Sequence, residues 1–275
     1  IEGRASDIHI EPVGKQSKVR YRIDGILHTT IVLPIYVHSA LISRIKVMAN
    51  LKIDETRIPQ DGRIRMKIHN KEIDFRISTI PLMGQEKVVM RILETPDKAP
   101  SFADLGFMGL QAKVVDKNID KPNGLFLLTG PTGSGKSTTL FAALSYLNKE
   151  EVNIATLEDP VEYQLSGVEQ CEVSRKEDEG LNFEAALVAT LRHDPDVIMI
   201  GEIRDEQTAK IALQAAYTGH LVLATLHTYD CESTLFRLLG YSLDPFMVMQ
   251  SLRAIISQKL TKKMCESCRK VDMST

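Results

Sequence analysis

The stretch GPTGSGKST, residues 130–138, sets Gly130, Gly133 and Gly135 around Lys136 and Ser137. That spacing fits the pattern GxxxxGK[ST]. Glycines let backbone N–H groups turn inward around phosphate oxygens, Lys136 reaches the terminal phosphates of a nucleotide, and Ser137 offers its hydroxyl to Mg2+. Pro131, Thr132, Ser134 and Thr138 fill out the loop. Its place between the apolar run LFLL and the helical run LFAALSYL is the strand–loop–helix context that the pattern requires. Cleaving a terminal phosphate also needs a Mg2+ ligand and a group that orients water, both usually carboxylates at strand C-termini beside the loop. VIMIGE ends in Glu202, and IATLED ends in Glu158 and Asp159. Either acid alone would be read as a solvated strand end. A phosphate loop in the same sheet makes both candidates for those two roles. His220 and His227 flank the run LVLATL. At about 3.3 Å per extended residue they lie too far apart to share one metal ion. Each is left to serve a γ-phosphate or the fold.

These residues need elements to hold them. LFLLTG, IATLED, VIMIGE and LVLATLH lack polar–apolar alternation, as strands buried on both faces of a parallel sheet do. Helices are expected over Lys136 to Leu147, Phe183 to His193 and Glu206 to Thr218, with a long helix over PFMVMQSLRAIISQKLTKK at the end. Residues 1–95 read differently. VRYRID and ILHTTIVL alternate across the turn signal Asp24-Gly25, and RIRMKIHNKEIDFRIS alternates across a turn near Asn70. KVVMRIL adds a strand, and Leu41, Ile42, Ile45, Met48 and Ala49 form one stripe of a helix. The expected organisation is a small α+β domain over 1–95, a linker over 96–106, a P-loop domain over 107–245, and a C-terminal helix with a cysteine pair over 246–275.

Composition narrows the function. A formal net charge of −2 and 5% aromatic residues leave neither the basic surface nor the stacking residues of a nucleic-acid tracker. No apolar run approaches the roughly 20 residues of a membrane span, and the start carries no charged-then-apolar leader. A cytoplasmic location without membrane insertion is therefore expected. Cys171 and Cys231 read as small buried residues, whereas Cys265 and Cys268 have the spacing of half a zinc site.

ASDIHIEP, RYRIDG, SRIKVMANLKIDETRIPQDGR, DFRISTIP, GPTGSGKST, TLEDPVEY, RHDPDVIMIGEIRD and AAYTGHLVLATLHT, in this order, resemble the secretion ATPases of type II secretion and type IV pilus assembly. That family is RecA-like, and the resemblance covers nearly the whole chain. It implies an α/β fold with a RecA-like P-loop domain after a small α+β domain, and ATP as substrate with Mg2+. It implies Glu158 as general base and Glu202 as a Mg2+ ligand through water. It makes His220 and His227 γ-phosphate sensors or interface residues, and gives Arg76 and Arg91 to a site completed by the same or a neighbouring subunit. Arg76 is out of phase with Ile73, Phe75 and Ile77, so it leaves the core. Arg91 sits in an apolar run and calls for an anionic partner. Arg192 and Arg204, on either side of VIMIGE, are weaker candidates for phosphate or subunit contacts.

The resemblance further implies a homohexamer and an inner-membrane platform as partner, hence a peripheral position on the cytoplasmic membrane. Family members close a Zn2+ site with a second CxxC pair. Cys265 and Cys268 alone do not close one, so tight zinc binding is not expected here, and one pair leans away from the pilus-retraction branch. The function expected is an ATP-driven motor. The alternatives are a RecA-like nucleic-acid translocase and a nucleotide-gated scaffold that does not hydrolyse.

Overall fold

The computed structural model describes residues 5–68, 71–94, 99–173, 182–261, 264 and 268. It divides into two compact units, Ile1–Asp97 and Lys98–Thr275.

In the first unit, strands β1 (Ala5–Val13), β2 (Gln16–Ile23) and β3 (Ile26–Pro34) are followed by helix α1 (His38–Met48) and by β4 (Gln60–Ile68), β5 (Lys71–Leu82) and β6 (Gln85–Glu94). They form one antiparallel sheet in the order β3-β2-β1-β6-β5-β4. Both expected hairpins are present, and Asp24 and Gly25 turn the first with φ of +47° and +84°. The alternation decides which face is buried. Ile10, Val19, Ile64, Ile73, Phe75, Ile77 and Val88 close a core with Ile42, Ile45 and Ala49 of the α1 segment. The other face carries charge: Asp7 pairs in register with Arg91, Arg91 with Arg76, and Arg76 with Arg63. Strand β1, in which Ile8 and Ile10 alternate with Asp7, His9 and Glu11, pairs with β2 on one side and β6 on the other.

The second unit runs α2 (Gly109–Ile119), β7 (Gly124–Thr129), α3 (Lys136–Leu147), β8 (Ile154–Glu158), β9 (Glu169–Glu172), α4 (Phe183–Thr190), β10 (Val197–Ile200), α5 (Glu206–Thr218), β11 (Leu221–Leu226), α6 (Cys231–Gly240), α7 (Pro245–Ser251) and β12 (Leu252–Ser257). Its sheet has the order β12-β7-β11-β10-β8-β9, with parallel pairing throughout. Successive side chains of one strand feed two cores, which is why these runs lack alternation. Leu125 and Leu127 pack with Leu187, Ala212 and Leu213 on one side, whereas Phe126 and Leu128 pack with Ile119, Leu140 and Leu144 on the other. Phe102 and Phe107, which meet edge to face at 5.7 Å, join that second core.

The C-terminal helix is corrected. Helix α7 stops at Ser251, Leu252 turns out of it at φ −66° and ψ 118°, and β12 continues in parallel with β7. Without β12 the edge of β7 would leave its backbone groups unpaired, and the β-branched pair Ile255-Ile256 suits a pleated edge better than a helix. Arg253 fixes the register by donating from Nε to Asn123 O at 2.9 Å and from a terminal nitrogen to Asn123 Oδ1 at 2.7 Å.

Gly124 opens β7 at φ +122°, where a Cβ would lie 2.7 Å from Ser251 O and 2.4 Å from Arg253 Cγ. A backbone carbonyl cannot step aside. Gly124→Ala is expected to destabilise the fold by about 1–3 kcal/mol, read as a lowered thermal midpoint by circular dichroism. An unchanged midpoint would reject the packing of β12 on β7.

Candidate nucleotide site

The parallel register puts the C-terminal ends of β7, β11, β10 and β8 on one edge. The phosphate loop leaves β7 after Thr129, His227 follows β11, Glu202 lies two residues past β10, and Glu158 ends β8. With neighbouring strands about 4.8 Å apart, these groups form a row that begins at the loop.

The loop has the shape that its glycines allow. Gly130, Gly133 and Gly135 have φ of +142°, +76° and +88°, values that L side chains rarely adopt. Gly135 is also the N-cap of α3 and gives that helix no side-chain cap, whereas Asn182, Asp205, Asp230 and Asp244 cap α4 to α7. The first N–H groups of α3 are thus left to an anion. Lys136 is buried and donates from Nζ to the carbonyl oxygens of Gly130 at 2.8 Å and Pro131 at 3.0 Å. Burial pushes its ammonium below the usual lysine value, with Glu202 opposing. Ser137 is exposed. Ser134 is buried, and its Oγ has no hydrogen-bond partner.

The two carboxylates differ in environment. Glu158 is only 7% exposed; its Oε1 accepts from Thr156 Oγ1 at 2.7 Å and Gln170 Nε2 at 3.0 Å. Gln170 is itself held, donating to Tyr163 O and accepting from Leu165 N, both at 2.8 Å. Burial raises the Glu158 carboxyl above its ordinary value, against the hydrogen bonds from Thr156 and Gln170. A carboxylate whose proton affinity is raised in this way is a better acceptor for a proton from water than an ordinary surface carboxylate. Glu202 instead lies between the Arg204 guanidinium, on Oε1, and the His227 ring, whose Nε2 is 3.1 Å from Oε2. Its two oxygens are thus engaged from both sides, beside the loop that carries Lys136.

The remaining candidates separate. His227 joins the row, but His220 precedes β11 and lies at the opposite end of the sheet, beside Gly124, about 20 Å away along the strand. Its Nδ1–H donates to Ala215 O at 3.1 Å. The structure therefore excludes His220 as a γ-phosphate sensor for the loop of its own chain. Arg204 pairs with Glu202, whereas Arg192 lies just past α4, where its backbone N–H donates to Ala189 O.

In the first unit, Arg91 is on the charged face with its side chain 62% exposed, so it is not buried among its apolar neighbours. The anionic partner that it calls for is Asp7, at 3.0 Å from Nε. Burial pushes the Asp7 carboxyl up, but Ser6 and Arg91 hold it below the ordinary value. Arg76 stands beside Arg91 on that face. Cys265 lies outside the described residues, and Cys268 is exposed.

Sequence reasoning missed Thr156 and Gln170, the groups that hold Glu158. Thr156 had a signal, because two residues along a strand return to the same face. Gln170 had none, since β9 is brought beside β8 by parallel pairing. It also missed three threonines that join the loop to the His227 segment. Thr129 Oγ1 donates to Thr228 O at 2.6 Å, and the hydroxyls of Thr129, Thr228 and Thr234 follow one another at 2.5 Å.

The family described as "Type II/IV secretion system protein" matches residues 1–275. The chain belongs to that family. Among relatives of this secretion family, it is 50% identical to a type IV pilus assembly ATPase, PilB, of Myxococcus xanthus, over 98% of this chain and 48% of that one. To the type II secretion system protein HxcR of Pseudomonas aeruginosa it is 49% identical, over 96% of this chain and 56% of the other. The chain thus spans about half the length of these relatives. The crystal structure of the pilus retraction motor PilT with bound ADP superposes with a TM-score of 0.73 at 32% identity, covering 94% of this chain and 75% of that one. The Legionella pneumophila ATPase DotB shares the fold, with a TM-score of 0.75 at 23% identity, over 94% and 73%. Since a retraction motor shares this architecture, the fold does not separate the branches of the family. Among the described residues, no helix is long and apolar enough to cross a membrane.

Two outcomes follow. Because the folded carboxyl of Glu158 is raised, the folded state holds more protons than the unfolded chain just above 4.5, so stability falls as pH rises through the raised value. Glu158→Gln has no charge to lose, and its thermal midpoint should exceed that of the unsubstituted chain at pH 8 and converge with it near pH 4. A midpoint lower than the unsubstituted one across the whole range would reject burial as the dominant effect. Arg91→Ala removes one partner of the buried Asp7 but leaves it Ser6 and Arg22, so it should cost about 1–3 kcal/mol and keep the circular dichroism spectrum; an unfolded variant would make Arg91 structural.

Proposed function

We propose that the chain is the ATP-hydrolysing part of a motor for type II secretion or type IV pilus assembly, of the protein-secreting type. One observation carries this reading: the phosphate loop, His227, Glu202 and Glu158 stand along a single C-terminal sheet edge. Membership in the family, and the ADP bound to the related retraction motor, support it.

In this reading the loop N–H groups and those at the start of α3 hold the β- and γ-phosphates, with Lys136 turning from the loop carbonyls to the nucleotide. The donor set fits a hard cation, since Ser137 offers an exposed hydroxyl and Glu202 an oxygen-only ligand acting through water. Mg2+, when bound, supplies charge neutralisation at the phosphate oxygens. Glu158, held by Thr156 and Gln170, orients the attacking water and accepts its proton. His227, bonded to Glu202, is placed to respond to the terminal phosphate.

Arg76 and Arg91, adjacent on one face of the first unit, are the cations proposed to complete the site from the same or a neighbouring subunit. His220 keeps only the interface role. The assembly proposed is a homohexamer that works against an inner-membrane platform, peripheral on the cytoplasmic side. It is proposed to engage no nucleic acid, with Zn2+ restricted to chains that carry a second CxxC pair. A scaffold without turnover would not need a carboxylate held as Glu158 is.

The test is the ATPase rate per subunit against protein concentration, with Lys136→Ala as the blank. The rate should climb with concentration as neighbouring subunits complete the site. Glu158→Gln should bind ATP yet hydrolyse it about 10²- to 10⁴-fold more slowly. Near-normal turnover in Glu158→Gln would move the base elsewhere, and a rate no higher than the blank at every concentration would reject the enzyme reading.

A further inference from the structure

Residue Gln258 lies one position past β12, outside every motif named above. Its backbone N–H donates to Thr129 O at 2.9 Å, which extends the β12–β7 ladder to the last residue before the phosphate loop. Its carbonyl oxygen crowds Gly130, where a Cβ would lie 2.4 Å from it. Its side chain crosses to the other stem of the loop: Oε1 accepts from Thr139 Oγ1 at 2.9 Å, and Nε2 lies 2.9 Å from where a Cβ of Gly135 would stand. Thr139 is fully buried in the first turn of α3 and Gln258 is half-buried, so that hydrogen bond is partly sheltered from water.

A phosphate loop works by holding its N–H groups at fixed positions, and those depend on how far the helix stem stands from the strand stem. Gln258 touches both stems, Thr129 and Gly130 on one side and Gly135 and Thr139 on the other. We infer that Gln258 is a positioning residue for the nucleotide phosphates, a brace that sets the span of the loop and links nucleotide affinity to the placement of β12. This rests on the nucleotide reading above. Gln258 need not touch the nucleotide.

The experiment measures the Kd of a non-hydrolysed ATP analogue with Mg2+ for the full chain by titration calorimetry, over Gln258→Leu, Thr139→Val and the double substitution. Thr139→Ser serves as the variant that keeps the hydroxyl. Gln258→Leu and Thr139→Val should each weaken binding about three- to tenfold. The double substitution should bind no more weakly than the weaker single, and Thr139→Ser should restore the affinity. Additive losses, or a lowered thermal midpoint with affinity unchanged, would make Gln258 an ordinary structural contact and overturn the inference. Should Gln258→Leu fail to fold, the threonine pair decides: loss with Val and retention with Ser supports the brace, and equal affinity in the two overturns it. If the unsubstituted chain binds the analogue no better than Lys136→Ala does, the nucleotide reading itself falls, and the inference with it.

Discussion

Strand β7 is hydrogen-bonded on both edges, to β11 and to β12, and packed on both faces by apolar side chains. It cannot shift along its axis without breaking two ladders and disturbing two close-packed cores. Thr129 therefore has a fixed place, and the loop that begins after it inherits that place. The parallel register then sets the rest, because His227, Glu202 and Glu158 all leave the sheet at the edge where Thr129 does. A flexible glycine loop is useful only when both its stems are rigid. Here the strand stem is locked by the sheet, and the helix stem by the burial of Leu140, Ala143 and Leu144.

The electrostatics of the row follow from depth rather than from residue type. Glu158 ends a buried strand, and burial disfavours its charged form more than the two side-chain donors on it favour that form. Glu202 lies two residues further along its own segment, where Arg204 and His227 reach it. Two glutamates on neighbouring strands thus stand in different surroundings, one buried against neutral donors and one beside a guanidinium and an imidazole. In the first unit the same logic appears on the charged face of the antiparallel sheet, where Asp7 and Asp74 are buried and each is held by arginines. Those arginines keep a fixed direction because they are tied to a sheet rather than to a loop.

Much of this was legible in the sequence, and for identifiable reasons. The loop motif depends on local backbone freedom, and the continuous apolar runs report burial on two faces; both are local properties. The helices over Lys136–Leu147 and Glu206–Thr218 were readable as the stretches between continuous apolar strands. The hairpin at Asp24-Gly25 was readable because its turn needs left-handed residues. What misled was the segment after Pro245, whose apolar content fits a helix or a buried strand equally well. Only the open edge of β7 made a strand of Leu252–Ser257. His220 misled for a related reason: symmetry about an apolar run in the sequence becomes opposition across the sheet.

The sequence by itself determined the phosphate loop, the two carboxylates at strand ends, the two-unit organisation and the family. These rest on residue types at short spacing and on burial patterns that any one segment declares. The tertiary structure alone decided which histidine stands beside the loop, that Thr156 and Gln170 hold Glu158, that Asp7 answers Arg91, and that Gln258 spans the two stems of the loop. Each of those is a contact between segments tens of residues apart or a choice between two ends of one strand. Parallel pairing and register set such relations, and no local run of residues encodes them.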